Sequence, residues 1–393
     1  MTKGNSEDLW DASTRRHFRI YKVAAQIMGV WPFTCQQTFS KTRFLLIIII
    51  LISMATMLAQ DILKNCGNIN DTLESSVLLP SAFLGIVKIT LPRIYWKNIK
   101  SIVVSTAQDW STTTSSESRK IMEKMSLIGA AGFLFLLGGS LSLSVLTILH
   151  KAALNFELRN DNSTELHVAL GAGCFRSDLP MNMYLTYATQ TVQISLMQLC
   201  VSGSDASYFQ ILSHLSGQLD ILRLDLDQFP NSRDTKSSPI DEFIKRHNRF
   251  LRICHHVEET FTFVLLCHLM TNLCYITSAL MIVLTTWSKN DEFGDVLIFG
   301  STTLFLYAQI FLFCFGGDVI TTKTEALFHS IYSYPWYDLP ASERQKVLFI
   351  LTKTNYPMHF TACKLYRLNL ENFKNIVKFT ASLFSLMRLF LQK

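Results

Sequence analysis

Residues 44–58 form an almost unbroken apolar run, with isoleucine at every position from 47 to 50. Such a run demands a hydrocarbon environment, because a span takes about 20 apolar residues at about 1.5 Å rise each. Six further apolar segments follow, at 77–95, 125–149, 184–200 with a continuation, 261–284, 296–315 and 373–391. Only 17% of the 393 residues are charged, where a soluble chain carries about a quarter. The first run is not a secretory signal, since 43 largely polar residues precede it. The second segment is interrupted by Pro80 and Lys88, and Lys88 is expected to snorkel to the interface. The fold class read from these segments is all-α, with seven transmembrane helices.

Orientation follows from the loops. With the N-terminus inside, the internal segments 1–43, 92–124, 211–258 and 316–365 hold 25 Lys and Arg, and the opposite loops hold 5. The positive-inside rule therefore predicts a cytosolic N-terminus and an extracellular C-terminus. The two Asn-x-Ser/Thr sequons, at Asn70 and Asn162, fall in loops assigned outside, where glycosylation is possible. Cys66 and Cys174 also fall there, and are free to pair if their distance allows. The predicted organisation is a cytosolic N-terminal segment (1–43), spans one to four with their extracellular loops (44–210), a cytosolic helical hairpin (211–260), spans five and six (261–315), a cytosolic anchor segment (316–366) and a seventh helix (367–393).

The hairpin is read from two seams. Leu212, Leu215, Leu219, Leu222, Leu226 and Phe229 recur at spacings of three and four, as do Ile240, Phe243, His247, Phe250, Cys254, Val257 and Phe261. Between them, residues 231–239 read as a turn. Ser238-Pro239 then opens the next helix, with a capping residue before proline at the first position. Trp336, Tyr337 and the run 347–351 make the anchor segment too apolar to stand alone. Self-association and packing within the chain are both open readings of it.

No catalytic motif is present: the chain lacks GxSxG, HExxH, a P-loop and a dinucleotide fingerprint. His255, His256, Glu258 and Glu259 cluster in sequence, yet neighbours on a helix diverge by about 100° per residue and do not converge on one ion. No metal, cofactor or nucleic acid is expected, and the chain is not read as an enzyme. The outer halves of the spans are more informative. They combine large apolar side chains with sparse hydroxyls, the composition of a pocket for a small hydrophobic ligand. Ser81, Phe83, Gly139, Ser142, Tyr184, Tyr187, Tyr275, Ser278, Thr302, Thr303 and Tyr307 are the candidate ligand-binding residues. Gly129 and Gly132 read as close helix packing. His268, in the fifth span, is expected to bond within the bundle. One face of the seventh helix runs Asn372, Asn375, Phe379, Leu383, Leu386, Phe390, with Lys374 and Lys378 near the inner end. That pattern suits a pore with a dry outer gate, and also an ordinary packed helix with snorkelling lysines.

The chain resembles the insect odorant receptors. Gly29-Val30-Trp31-Pro32 resembles the family's G-x-W-P, and His214-Leu215-Ser216-Gly217-Gln218 with Leu222 its motif after the fourth span. In the C-terminal third, Phe315-Gly316-Gly317-Asp318, Tyr332, Pro335-Trp336-Tyr337, Leu339-Pro340 and Leu368-Asn369-Leu370-Glu371-Asn372-Phe373 are similar to its most specific motifs. Cys363-Lys364 departs from the usual small residue before lysine. The resemblance implies an odorant-gated, non-selective cation channel of four subunits, in the membrane of a sensory neuron dendrite, with the inverted topology derived above. It implies assembly with the olfactory co-receptor, in which this chain is the tuning subunit. It also implies that the seventh helix lines the pore, with Leu383, Leu386 and Phe390 at the outer gate. A gustatory-type receptor channel is the nearer alternative. A G-protein-coupled receptor is the farther one, as no Asp-Arg-Tyr follows the third span and no Asn-Pro-x-x-Tyr lies in the seventh.

Overall fold

Each of the seven apolar segments lies in a helix. The computed structural model describes residues 12–64, 69–113, 115–160, 180–228, 239–289 and 293–391. The apolar segments fall in α2 (Thr38–Lys64), α3 (Ile69–Ile94), α5 (Ser116–Asn160), α6 (Pro180–Gln228), α7 (Pro239–Lys289), α8 (Phe293–Ser333) and α10 (Leu370–Leu391). The shorter α1 (Ala12–Ile27), α4 (Trp96–Thr112) and α9 (Ala341–Thr354) complete the helices among the described residues. Within those residues α2, α3, α5, α7 and α8 are long and apolar enough to cross a membrane. Lys374, Lys378 and Arg388 leave α10 without so long a stretch of low charge, and Gln190, Gln193 and Gln198 interrupt that of α6. Asn162, Cys66, Cys174 and the turn at 231–238 lie outside the described residues, as do the side chains of Asn70 and Phe390.

Helices α5 to α8 run for 41 to 51 residues, or about 60–75 Å, twice the hydrocarbon thickness. Their surplus length forms a second, membrane-distal packing layer where the two seams lie. Leu212, Leu215, Leu219, Leu222 and Leu226 are buried, as are Ile240, Phe243, His247, Phe250, Cys254 and Val257. The seams do not mainly face one another. α6 packs along α5 and α8, and α7 along α3, α4 and α8. Toward their tips Leu226, Ile240 and Phe243 converge with Ile331 of α8 and Val347 and Ile350 of α9, and Arg246 bonds Asp225 at 3.0 Å. The inner face of α9 thus packs within the chain, while Leu348 and Phe349 remain exposed, as do Tyr337, Tyr356 and Leu365 nearby. His247 stacks on Phe243 in this layer, and burial pushes its imidazole down to about 4.

Two local devices hold α10 in place. Gly316 and Gly317 let α8 approach neighbours on two sides: a Cβ on Gly316 would lie 2.8 Å from Leu212, and one on Gly317 2.4 Å from the Leu368 carbonyl. The second device is a ribbon of β1 (Thr361–Ala362) and β2 (Tyr366–Arg367), paired antiparallel. Its turn places Cys363 and Lys364 at φ 52 and 59, the backbone of a tight primed turn. α7 clamps the ribbon: Thr262 Oγ1 donates to the Thr361 carbonyl at 3.0 Å and accepts from Cys363 N at 2.7 Å, while Glu258 accepts from the Thr361 backbone at 3.1 Å. Glu259 instead accepts from Asn98 at 3.0 Å, so the two carboxylates of the His-Glu cluster serve different elements.

Candidate functional site

A cavity of about 110 Å³ opens where α3, α5, α6, α7 and α8 meet. Its walls are mainly apolar, with Val77, Leu78 and Leu84 from α3, Leu143 from α5, Ile194, Met197 and Val201 from α6, and Ile298, Phe299, Phe305 and Leu306 from α8. Hydroxyls come from Ser81, Ser140, Ser144, Thr147, Ser202, Tyr275 and Thr302, and those on α3 and α5 are committed. Ser81, Ser140, Ser144 and Thr147 donate to carbonyls of their own helices. At the end remote from the second packing layer, Lys151 bonds Glu74 at 2.8 Å, and His150 lies beside them.

The opposite end rests on a buried polar network. Lys88, 1% exposed, pairs with Asp205. Its Nζ also reaches the Val201 carbonyl at 3.4 Å and His268 Nδ1 at 2.9 Å. His268 Nε2 lies 3.0 Å from the Asn272 amide, which lies 3.4 Å from Gln309 Oε1. Gln309 Nε2 returns to Asp205 Oδ2 at 2.7 Å. Four helices, α3, α6, α7 and α8, thereby meet around a ring of five polar side chains. Lys88 does not snorkel: its partner is a carboxylate 117 residues away in sequence, and pairing in the interior replaces the reach for water. Gln309 and Asn272 also line the cavity, so the ring is its floor.

Of the candidate ligand-binding residues, Ser81, Tyr275 and Thr302 line the cavity. Phe83 and Tyr184 point outward, 57% and 63% exposed. Ser142 is exposed and bonds its own helix at Gly138, while Ser140 and Ser144 line the cavity instead. Gly139 packs on Phe305, and Gly132 on Phe209. Tyr187 donates to the Ile148 carbonyl, Thr303 to Phe299 at 2.7 Å, and Ser278 is half-buried on α7. Tyr307 belongs to another junction. Its hydroxyl donates to Thr380 Oγ1 of α10 at 2.6 Å, and one turn on, Phe311 meets Phe373 edge-on. α8 therefore faces the cavity with one side and α10 with another. Leu386, half exposed, and Leu383 lie farther along α10, on its less covered length.

The sequence profile of the family described as 7tm odorant receptor matches residues 68–381. The chain belongs to that family. Odorant receptor 46a, isoform B, of Drosophila melanogaster is 23% identical over 386 residues, covering 92% of this chain and 95% of that one. An odorant receptor coreceptor of Ooceraea biroi is 23% identical over 144 residues, covering 36% and 29%. The fold is that of the insect olfactory receptor OR5 of Machilis hrabei, solved in complex with eugenol, with a TM-score of 0.79 at 13% identity and 98% of this chain covered. This odorant receptor is thus a multi-pass membrane protein, and neither the gustatory-type nor the G-protein-coupled reading is favoured.

Proposed function

We propose that this odorant receptor is the tuning subunit of an odorant-gated, non-selective cation channel, assembled with the olfactory co-receptor in a tetramer. The carrying observation is the double role of α8. Thr302, Phe305, Leu306 and Gln309 face the cavity, while Tyr307 and Phe311 hold α10. A small hydrophobic odorant in the cavity favours whichever packing of α8 it fits better, and only that differential affinity can move α10. In this reading α10 lines the pore, and Leu383, Leu386 and Phe390 form a constriction that closes by excluding water. The N-terminus and the α6–α7 tips lie in the cytosol, as the distribution of Lys and Arg favours. The exposed Tyr337, Leu348, Phe349 and Tyr356 then meet neighbouring subunits beneath the membrane, and Asn70 and Asn162 are available for glycosylation outside. The receptor acts in the dendrite of a sensory neuron.

The test is whole-cell recording with the co-receptor co-expressed. Leu386→Ala and Phe390→Ala are expected to raise the closed-state leak or change ion permeation. Currents identical to wild type in both variants would refute the gate.

A further inference from the structure

The hydrogen-bond ring beneath the cavity fixes which amide atom Asn272 presents to a ligand. Lys88 Nζ contacts Asp205, the Val201 carbonyl and His268 Nδ1. If the pair is ionised, the ammonium donates to all three. If the proton sits on Asp205, the carboxyl donates to the amine lone pair, and the two remaining N–H groups go to Val201 and His268. A carboxylate beside a neutral amine would leave an uncompensated charge in the interior, at heavy cost. Either surviving state makes His268 Nδ1 an acceptor, so the neutral imidazole carries its proton on Nε2.

That proton points at the Asn272 amide, 3.0 Å away. An N–H requires an oxygen there, so the carbonyl of Asn272 faces His268 and its amino group faces away; the two amide atoms are told apart only by such partners. Gln309 Oε1, 3.4 Å from the atom against His268, then meets an oxygen and is released from this contact as an acceptor. Gln309 Nε2 stays committed to Asp205. Asn272 is 4% exposed and lines the cavity. The floor therefore offers one committed donor, the Asn272 amino group, beside one acceptor, Gln309 Oε1.

We infer that the cavity takes a small apolar molecule bearing one oxygen, with a hydroxyl favoured over a carbonyl, seated on Asn272 and Gln309. A hydroxyl answers both groups, since it accepts from one and donates to the other. A carbonyl answers only Asn272, and a hydrocarbon leaves both without partners. Hydroxyls on the α3 and α5 walls have spent their protons on their own helices, whereas Ser202, Tyr275 and Thr302 can rotate to either role and the Gln198 amide offers both, so these groups do not oppose this order. Size follows from volume: one water needs about 10–15 Å³ of such space, so the cavity suits roughly eight heavy atoms.

This inference rests on the proposed cavity being the odorant site, and the experiment separates the two. Heptan-2-ol, heptan-2-one and 2-methylheptane are matched in size and differ in the oxygen. Binding is read by saturation-transfer NMR on membranes carrying the full chain with the co-receptor, and currents are read from the same cells. The alcohol is expected to bind about tenfold more tightly than the hydrocarbon, with the ketone between. Asn272→Leu is expected to bring the ketone and the hydrocarbon to the same affinity. Equal binding of all three to wild type, a preference for the hydrocarbon, or no binding by any would overturn the inference without recourse to the variant. A ketone preference that survives in Asn272→Leu would overturn the role of Asn272. The expected order of binding without any current would leave the inference standing and refute the channel reading.

Discussion

Replacing Tyr307 with phenylalanine removes one hydroxyl at the junction of α8 and α10 and leaves the ring in place. The lost bond is short, 2.6 Å, and its partner Thr380 is fully buried. Thr380 keeps its own donation to the Ile376 carbonyl at 3.0 Å, so no buried donor is orphaned. The net contribution of such a neutral bond is about 1 kcal/mol. If pore opening carries α10 away from α8, that energy belongs to the closed state alone. Its removal then shifts the closed-to-open ratio about fivefold toward open. The expected reading is a resting current raised about fivefold where the resting open fraction is small, and a lower half-maximal odorant concentration. Thr380→Val should give a similar shift, and the double variant no more than either single one. Additive shifts, or an unchanged resting current in Tyr307→Phe, would refute the claim that this bond restrains α10.

Lys88→Leu strands Asp205 in the interior and is expected to cost about 3–5 kcal/mol, read as lost surface receptor, while Lys88→Leu combined with Asp205→Leu should recover much of it; equal loss in both would refute the pairing. For His247, burial holds the folded imidazole at about 4 against about 6.5 unfolded. The unfolded chain thus binds the extra proton between these values, and stability falls as pH drops from 6.5 toward 4, by about 3 kcal/mol in all. Thermal unfolding of the detergent-solubilised receptor across that window should show the loss in wild type and less of it in His247→Phe.

The helices were legible because their signals are local. Period and apolar length place α2, α3, α5, α7 and α8, and the seams through Leu212 and Phe243 mark buried faces that the structure keeps. Which element each seam meets was not legible, since a helical period marks the buried face and not what covers it. In the cavity, Ser81, Tyr275 and Thr302 were named because hydroxyls in apolar spans are conspicuous. Composition alone does not separate Ser142 from Ser140 and Ser144, which line the wall, although a difference of two residues on a helix turns a side chain by about 200°. Asn272 and Gln309 lie outside the hydroxyl pattern, and the signal that marks them is an amide within a span, the sign of a buried polar site. In sequence Lys88 has the look of a boundary charge, because its partner Asp205 lies in another helix.

The distance between Lys88 and Asp205 along the chain has a consequence for biosynthesis. At a synthesis rate of about 5–20 residues per second, the 117 residues separating them take roughly 6–23 seconds to emerge. During that interval α3 carries an ammonium with no counter-charge, and its entry into the bilayer is poorly favoured until α6 arrives. α3 is therefore a poorer span on its own than it is beside α6, where Asp205 answers the charge. Completion of this pair is thus an event of late assembly, joining an early span to one made 117 residues afterwards.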